Sequence, residues 1–295
     1  MRNKTGRHVV SQAFTEFKID SYGGEVPEGL YQAKTVAKGI RGLDAVDDDS
    51  IELFREQGFL VVDDAFSPTE VSDALAGLTD LIDGKVPEFR GIQFEASARD
   101  ILDTLTGDRR LDHVRKLQGF VDFDARLKAM SSKPELLSVV SRIVEDTPAL
   151  YADQALIKPP LIGREKPWHQ DAAFFDLPLT ATVVGVWIAL DEAMIENGCM
   201  FVIPASHGRG PVVHFKRRDW QICDTDVAAD EAIAVPLKPG GALFFHCLTH
   251  HGTPPTHSRF RRRALQFHYK PASLPGIRQE ERMEIFGSEG KDVEC

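Results

Sequence analysis

Trp168-His169-Gln170-Asp171 and, far downstream, His250-His251-Gly252 limit what this chain can fold into. Residues two apart on a strand project from the same face, because side chains alternate with period 2. Read as a strand, this segment points His169 and Asp171 the same way. With one further imidazole they make a 2-His-1-carboxylate facial triad, which holds Fe(II) and leaves three coordination positions open. The fold must then return a distant segment alongside. Gly240-Gly241 is a turn signal and Ala242-Leu243-Phe244-Phe245 reads as a buried strand, followed by three candidate histidines, His246, His250 and His251. Taken alone, the H-x-D pair also suits a hydrogen-bonded surface loop after Gly163-Arg164-Glu165.

Beyond these histidines, Arg262 heads the strand-like run Arg262-Arg263-Ala264-Leu265-Gln266-Phe267-His268-Tyr269. A buried arginine suits a carboxylate, since its planar fork binds both oxygens at once. Arg261 and Arg263 compete for the role. On a strand Arg262 shares a face with Ala264 and Gln266, and Arg263 with Leu265 and Phe267. A triad plus one carboxylate clamp are the parts needed to bind 2-oxoglutarate, whose 2-oxo acid end chelates a metal while its far carboxylate needs a cation.

From about Ser50 to about Tyr269 the chain resembles the phytanoyl-CoA dioxygenase family of Fe(II)/2-oxoglutarate oxygenases. Phe54-Arg55-Glu56-Gln57-Gly58-Phe59-Leu60-Val61-Val62 is similar to that family's opening helix, Gly-Phe and strand. Lys116-Leu117-Gln118-Gly119-Phe120, Lys158-Pro159-Pro160, His169-Gln170-Asp171, Trp187, Glu196-Asn197-Gly198-Cys199, Pro204-Ala205-Ser206-His207 and His251-Gly252-Thr253 follow in the family's order. Ala205 stands where the family usually has Gly, and Thr253-Pro254-Pro255-Thr256 replaces its Ser-Gly-x-Asn.

The resemblance implies that His169, Asp171 and His251 hold Fe(II), with 2-oxoglutarate and O2 as cosubstrates, and its spacing selects His251 over His250 and Arg262 over its neighbours. It further implies that Arg262, Lys116 and Thr253 contact the 2-oxo acid, and that Trp187 is a core aromatic whose edge reaches the pocket. Gln170 reaches the substrate or caps a strand end. Ala172-Ala173-Phe174-Phe175 suggests apolar pocket walls, with Phe174 toward a lipid-like acyl or natural-product substrate.

The fold expected is mainly β with helical decoration (α+β), a jelly-roll or cupin-like double-stranded β-helix flanked by N-terminal helices. Residues 1–48 read as an irregular arm, 49–275 as the oxygenase domain and 276–295 as a charged tail. Asp49 with Glu52 and Ser132 with Glu135 read as capping boxes, Ser67-Pro68-Thr69-Glu70 as a helix start, and Gly58 as a helix end. After Leu150 short apolar runs alternate with Pro and Gly, as an antiparallel barrel requires, and Asn197-Gly198 reads as a hairpin turn.

A balance of 35 basic against 45 acidic residues, net −10, disfavours general nucleic-acid or anionic-membrane binding. Lys216-Arg217-Arg218 and Arg259 to Arg263 remain as local basic clusters that suit an anionic substrate or a solvated strand edge. The four cysteines form no C-x-x-C and show no disulfide spacing, which points to a reducing compartment. No apolar run approaches membrane-span length, the polar start lacks a signal-peptide core, and Val293-Glu294-Cys295 is no peroxisomal address. A cytoplasmic protein acting on a small molecule is expected, with no membrane span and an oligomeric state left open.

The implied reaction is hydroxylation of an aliphatic C–H with release of succinate and CO2, or the same chemistry ending in desaturation or ring formation. Asp171 matters because halogenases of this fold lack that carboxylate. From another class, a catalytically silent barrel serving as a binding module is expected to lose a ligand or the arginine, and all four are present. A cupin-type isomerase or hydrolase calls for an H-x-H pattern and no carboxylate-clamping arginine.

Overall fold

The computed structural model describes residues 18–19 and 24–287. Its first half carries β1 (Lys18–Ile19), β2 (Ile40–Arg41), α1 (Asp48–Gln57), β3 (Phe59–Asp63), α2 (Pro68–Ile82), β4 (Ile92–Phe94), α3 (Gly107–Leu111), β5 (Val114–Gln118), α4 (Ala125–Ser131) and α5 (Pro134–Val144). Strands dominate the second half. They are β6 (Pro148–Lys158), β7 (Lys166–His169), β8 (Val184–Ala189), β9 (Met200–Val202), β10 (His214–Lys216), β11 (Trp220–Ile222), β12 (Ile233–Val235), β13 (Ala242–His246), β14 (His251–Thr253) and β15 (Arg262–Pro271), before a final α6 (Gln279–Phe286).

The helix signals mostly hold, with shifted caps. Ser67 and Glu70 form the capping box of α2, and Gly58, at φ 77°, closes α1. That helix starts earlier than expected. Asp47 is its cap because Ser50, three residues on, returns the hydrogen bond, which Glu52 does not do for Asp49. Ser132 is likewise not the cap of α5. Its amide is spent closing α4 on Lys128 and Ala129, and α5 begins after Lys133 with Pro134 in its first turn.

Nine strands form one sheet in the order β1-β4-β5-β6-β15-β8-β13-β3-β2, and four form a second, β12-β9-β14-β7. Period-2 alternation gives the large sheet two different faces. Ile92, Leu117, Ala155, Leu265 and Ile188 pack with Leu78 of α2 and Val140 of α5. On the opposite face Trp187, Ala189, Leu243 and Ala264 share a core with Trp168, Phe201 and Val202 of the small sheet. The molecule is thus mixed α/β, with helices outside one large sheet and a second sheet against its inner face. Asn197-Gly198 does not turn a hairpin: β8 belongs to the large sheet and β9 to the small one. A 3-10 turn, Ile195–Asn197, ended by Gly198 at φ 84°, carries the chain between them.

Tyr31, ahead of the first long helix, and the last helix brace β7 and the turn that follows it. Tyr31 stacks on Trp168 at 5.6 Å and donates to Glu165 at 2.7 Å, while the Trp168 indole donates to the Leu30 carbonyl at 3.0 Å. The segment from Gly276, expected as a tail, folds into α6, which buries Phe286 and pairs Arg282 with Asp176 at 2.8 Å. Arg218, from the first basic cluster, is buried in ion pairs with Glu165 and Asp224. Among the described residues, no helix is long and apolar enough to cross a membrane.

Candidate active site

β14 runs antiparallel to β7 in the register that sets His251 directly opposite His169. The strand carrying His169 stops there, so Asp171 is not a strand residue; it opens the 3-10 turn Asp171–Phe174. The expected pairing survives because the intervening Gln170 keeps extended backbone, φ −112° and ψ 130°. Asp171 Oδ1 lies 3.3 Å from His169 Nε2 and 3.6 Å from His251 Nε2, and one donor atom from each of the three falls within 4.8 Å of the others.

Each imidazole is oriented through its other nitrogen. His169 Nδ1 donates to the Pro167 carbonyl at 2.7 Å and His251 Nδ1 to the Thr249 carbonyl at 3.0 Å. A proton held on Nδ1 leaves the Nε2 lone pair for a metal. Burial, reinforced by His169, pushes the His251 imidazolium down to about 3, so the ring is neutral at physiological pH. Asp171 is fully ionised despite its burial, which opposes charge. The imidazoles around it, with the hydrogen bond from His268, outweigh that cost and hold the carboxyl well below its usual range. The second carboxylate oxygen, Oδ2, is occupied by His268 Nε2 at 2.7 Å and Gln266 Nε2 at 3.1 Å, both from β15. Sequence reading missed these two as site residues. A signal was present, since positions 262, 264, 266 and 268 share one strand face.

The neighbouring histidines stand apart. His250 is buried with neither ring nitrogen bonded among the described residues, and burial lowers it to about 4; His246, half-buried, is lowered to about 4 by burial and by His207. Neither belongs to the converging set.

A cavity of about 400 Å³ opens over the triad. Lys116, Thr253, Phe174 and Arg262 line it together with the three ligands. Arg262 is only 2% exposed, and among the described residues no carboxylate pairs with it. Its Nη1 donates to the Leu156 carbonyl at 2.9 Å, its Nε is unbonded, and Trp187 lies under it with the guanidinium carbon 5.4 Å from the ring. The flanking arginines are spent: Arg261 pairs with Asp112 at 2.5 Å and Arg263 with Asp191 at 2.7 Å. Burial lowers Arg262 to about 10, still a cation at neutral pH.

Trp187 does not itself line the cavity. Gln170 is also outside it, with its carboxamide donating to the Gly210 and Leu248 carbonyls at 2.9 and 2.8 Å and accepting from the Val212 amide at 2.8 Å. Of the expected apolar wall, Phe174 and Phe175 line the cavity, whereas Ala172 and Ala173 turn into a core with Phe286. Two imidazole nitrogens and a carboxylate oxygen, buried and convergent, are the donor set for Fe(II) with open positions. The uncompensated Arg262 across the same cavity suits the far carboxylate of a 2-oxo acid.

Fold and site together are those of a non-haem iron, 2-oxoglutarate-dependent dioxygenase. The sequence model of the family described as Phytanoyl-CoA dioxygenase (PhyH) matches residues 54–264, and the chain belongs to that family. Phytanoyl-CoA dioxygenase domain-containing protein 1 of Danio rerio is 25% identical over 263 residues, 77% of this chain and 90% of that protein. Its Mus musculus counterpart is 28% identical over 158 residues, 51% of this chain and 54% of that protein. Among solved structures, EvdO2 from Micromonospora carbonacea var. aurantiaca complexed with 2-oxoglutarate superposes with TM-score 0.61 at 26% identity, covering 79% of this chain and 93% of that one. The non-heme alpha ketoglutarate dependent carbocyclase SnoK from nogalamycin biosynthesis gives TM-score 0.64 at 21% identity, covering 87% and 91%. The enzyme uses Fe(II), 2-oxoglutarate and O2.

Replacing His169, Asp171 or His251 by Ala is expected to abolish tight Fe(II) binding, measured by anaerobic titration, while His250→Ala retains it. The reverse result for the two adjacent histidines would show that β14 presents the other neighbour.

Losing a charge-assisted fork in a buried site costs about 2–5 kcal/mol, roughly thirty-fold to several thousand-fold in affinity. Arg262→Ala is therefore expected to weaken 2-oxoglutarate binding by that factor, and Arg261→Ala, which breaks a pair with Asp112, by much less. Equal small effects in binding isotherms would remove Arg262 from the role.

Proposed function

We propose that this dioxygenase hydroxylates an aliphatic C–H of a small molecule. The supporting observation is the buried, uncompensated Arg262 facing the same cavity as the converged triad. In this reading His169, Asp171 and His251 hold the metal, and Arg262 with Thr253 receives the far carboxylate of 2-oxoglutarate. Fe(II) with its cosubstrates supplies the oxidising power that cleaves the C–H bond, converting 2-oxoglutarate to succinate and CO2. The chain's contribution is positioning: Nδ1 bonds fix the imidazoles, His268 and Gln266 fix Asp171, and Trp187 supports the Arg262 plane. The two sheets are taken as the halves of a double-stranded β-helix closed around the site. Gln170 braces the loop 210–212 rather than touching substrate, and Phe174 is assigned to the substrate side.

Lys116, half-buried on β5, is assigned to the 2-oxo acid as well. Burial, with help from Lys166, lowers its ammonium to about 8. Below that pH the group is charged and attracts the anion; above it the charge is lost. Affinity for 2-oxoglutarate is expected to fall as pH rises through about 8, and Lys116→Met to flatten that step. An unchanged pH profile in Lys116→Met would take the residue out of the site.

A second reading keeps the same start and ends in desaturation or ring closure, as the carbocyclase SnoK illustrates. Product mass spectrometry under labelled oxygen separates the two. Hydroxylation places one labelled oxygen in product and one in succinate, whereas a loss of two mass units with label only in succinate establishes the alternative. A chlorinated product would contradict the Asp171 ligand assignment.

A further inference from the structure

The triad, Arg262, Thr253 and Lys116 have roles at the cavity, and the rest of its floor has none so far. It is built by β4, β5, β6 and β15. Across these strands Gln93 stands opposite Lys116, Gln118 opposite Gln154, and Gln154 opposite Gln266. Gln266 is committed to Asp171. Gln93, Gln118 and Gln154 line the cavity half-buried, and their carboxamides make no hydrogen bond among the described residues. Buried polar groups are nearly always engaged by protein or water, and these half-buried three are left to water or to a ligand. Three neighbouring carboxamides with open donors and acceptors on one sheet face are complementary to a ligand.

Resting on the cofactor reading above, we propose that Gln93, Gln118 and Gln154 recognise the primary substrate, and that it is a hydroxyl-rich, polyoxygenated molecule of the sugar or polyol type rather than an acyl chain. A carboxamide offers both donor and acceptor, and a hydroxyl answers with both. An alkyl chain laid over the row would strip water from three amides and give nothing back. The reach is right as well. Strands are about 4.8 Å apart, so Gln154 lies one strand and Gln118 two strands from Gln266, which touches the metal-binding carboxylate. A ring-sized molecule on that row brings a C–H bond to the metal. Phe174, 37% exposed on the cavity wall, adds an apolar surface for the C–H face of such a ring.

The test uses the Fe(II)-loaded protein under anaerobic conditions, where the absorption band of bound 2-oxoglutarate reports the cofactor site independently of turnover. Succinate formation is then measured with methyl glucoside, sucrose, myo-inositol and glucuronate, and with palmitate and palmitoyl-CoA. At least one hydroxyl-rich compound is expected to raise the rate about ten-fold or more over the substrate-free protein. Gln118→Leu and Gln154→Leu should each lower kcat/KM for it by about ten-fold or more, with the band and its 2-oxoglutarate titration unchanged. Stimulation by palmitate or palmitoyl-CoA that survives or improves in the leucine variants overturns the proposal. So does silence toward all four hydroxyl-rich compounds while the band is present. Absence of the band in the unmodified protein overturns the cofactor reading itself, and the proposal with it.

Discussion

The antiparallel pairing of His169 with His251 is the contact on which the site depends. It joins segments far apart in sequence and brings two imidazoles onto one carboxylate. A one-residue slip of β14 would turn His251 away and present its neighbour, because side-chain direction alternates with every residue. The surroundings guard that register. Thr249 and His246 both donate to the Gly58 carbonyl at 2.8 Å, anchoring the loop that leads into β14. Gly252 packs against β7 so closely that a Cβ would lie 3.2 Å from the Lys166 carbonyl and the Trp168 amide, and 3.1 Å from the Tyr31 hydroxyl. Residues before the first long helix thereby act on the metal ligands: Tyr31 clamps both strands from behind.

Charge is distributed around the cavity in the same spirit. Burying an ion without a partner is costly, and proteins normally compensate such charges with a counter-ion. Arg261, Arg263 and Arg218 obey this, each facing a carboxylate. Arg262 does not; it rests on a carbonyl and an aromatic face. Lys158, directly opposite it across β6 and β15, is also buried, among the described residues with only the Arg164 carbonyl as acceptor, and burial holds its ammonium well below the usual range. In the proposed reading, a dianionic cosubstrate at Arg262 would relieve a desolvation cost that the folded chain already carries, and its binding would stabilise that corner of the sheet.

Much of this was legible in the sequence because it follows local rules. The H-x-D spacing worked through one extended residue, Gly58 and Ser67 marked helix ends, and the spacing of the family resemblance singled out Arg262 from its neighbours. What was not legible depends on which elements meet. Asn197-Gly198 has the chemistry of a tight turn, but no local signal says that its flanking strands enter different sheets. Asp49 and Ser132 have the chemistry of caps, yet Asp47 found a reciprocal partner and Ser132 was needed by the preceding helix. Ala172 and Ala173 read as pocket wall until α6 covered them.

The grip on Asp171 bears on the chemistry as well as on stability. A carboxylate free at both oxygens can bind a metal through both and occupy an additional coordination position. Here Oδ2 already accepts from His268 and Gln266, and only Oδ1 faces the two imidazoles. The protein thus offers three donor atoms, leaving room for a bidentate 2-oxo acid and for oxygen. The same β15 face that begins with Arg262 therefore ends by limiting how Asp171 can ligate, and in the proposed reading one strand sets both the cosubstrate end and the metal end of the cavity.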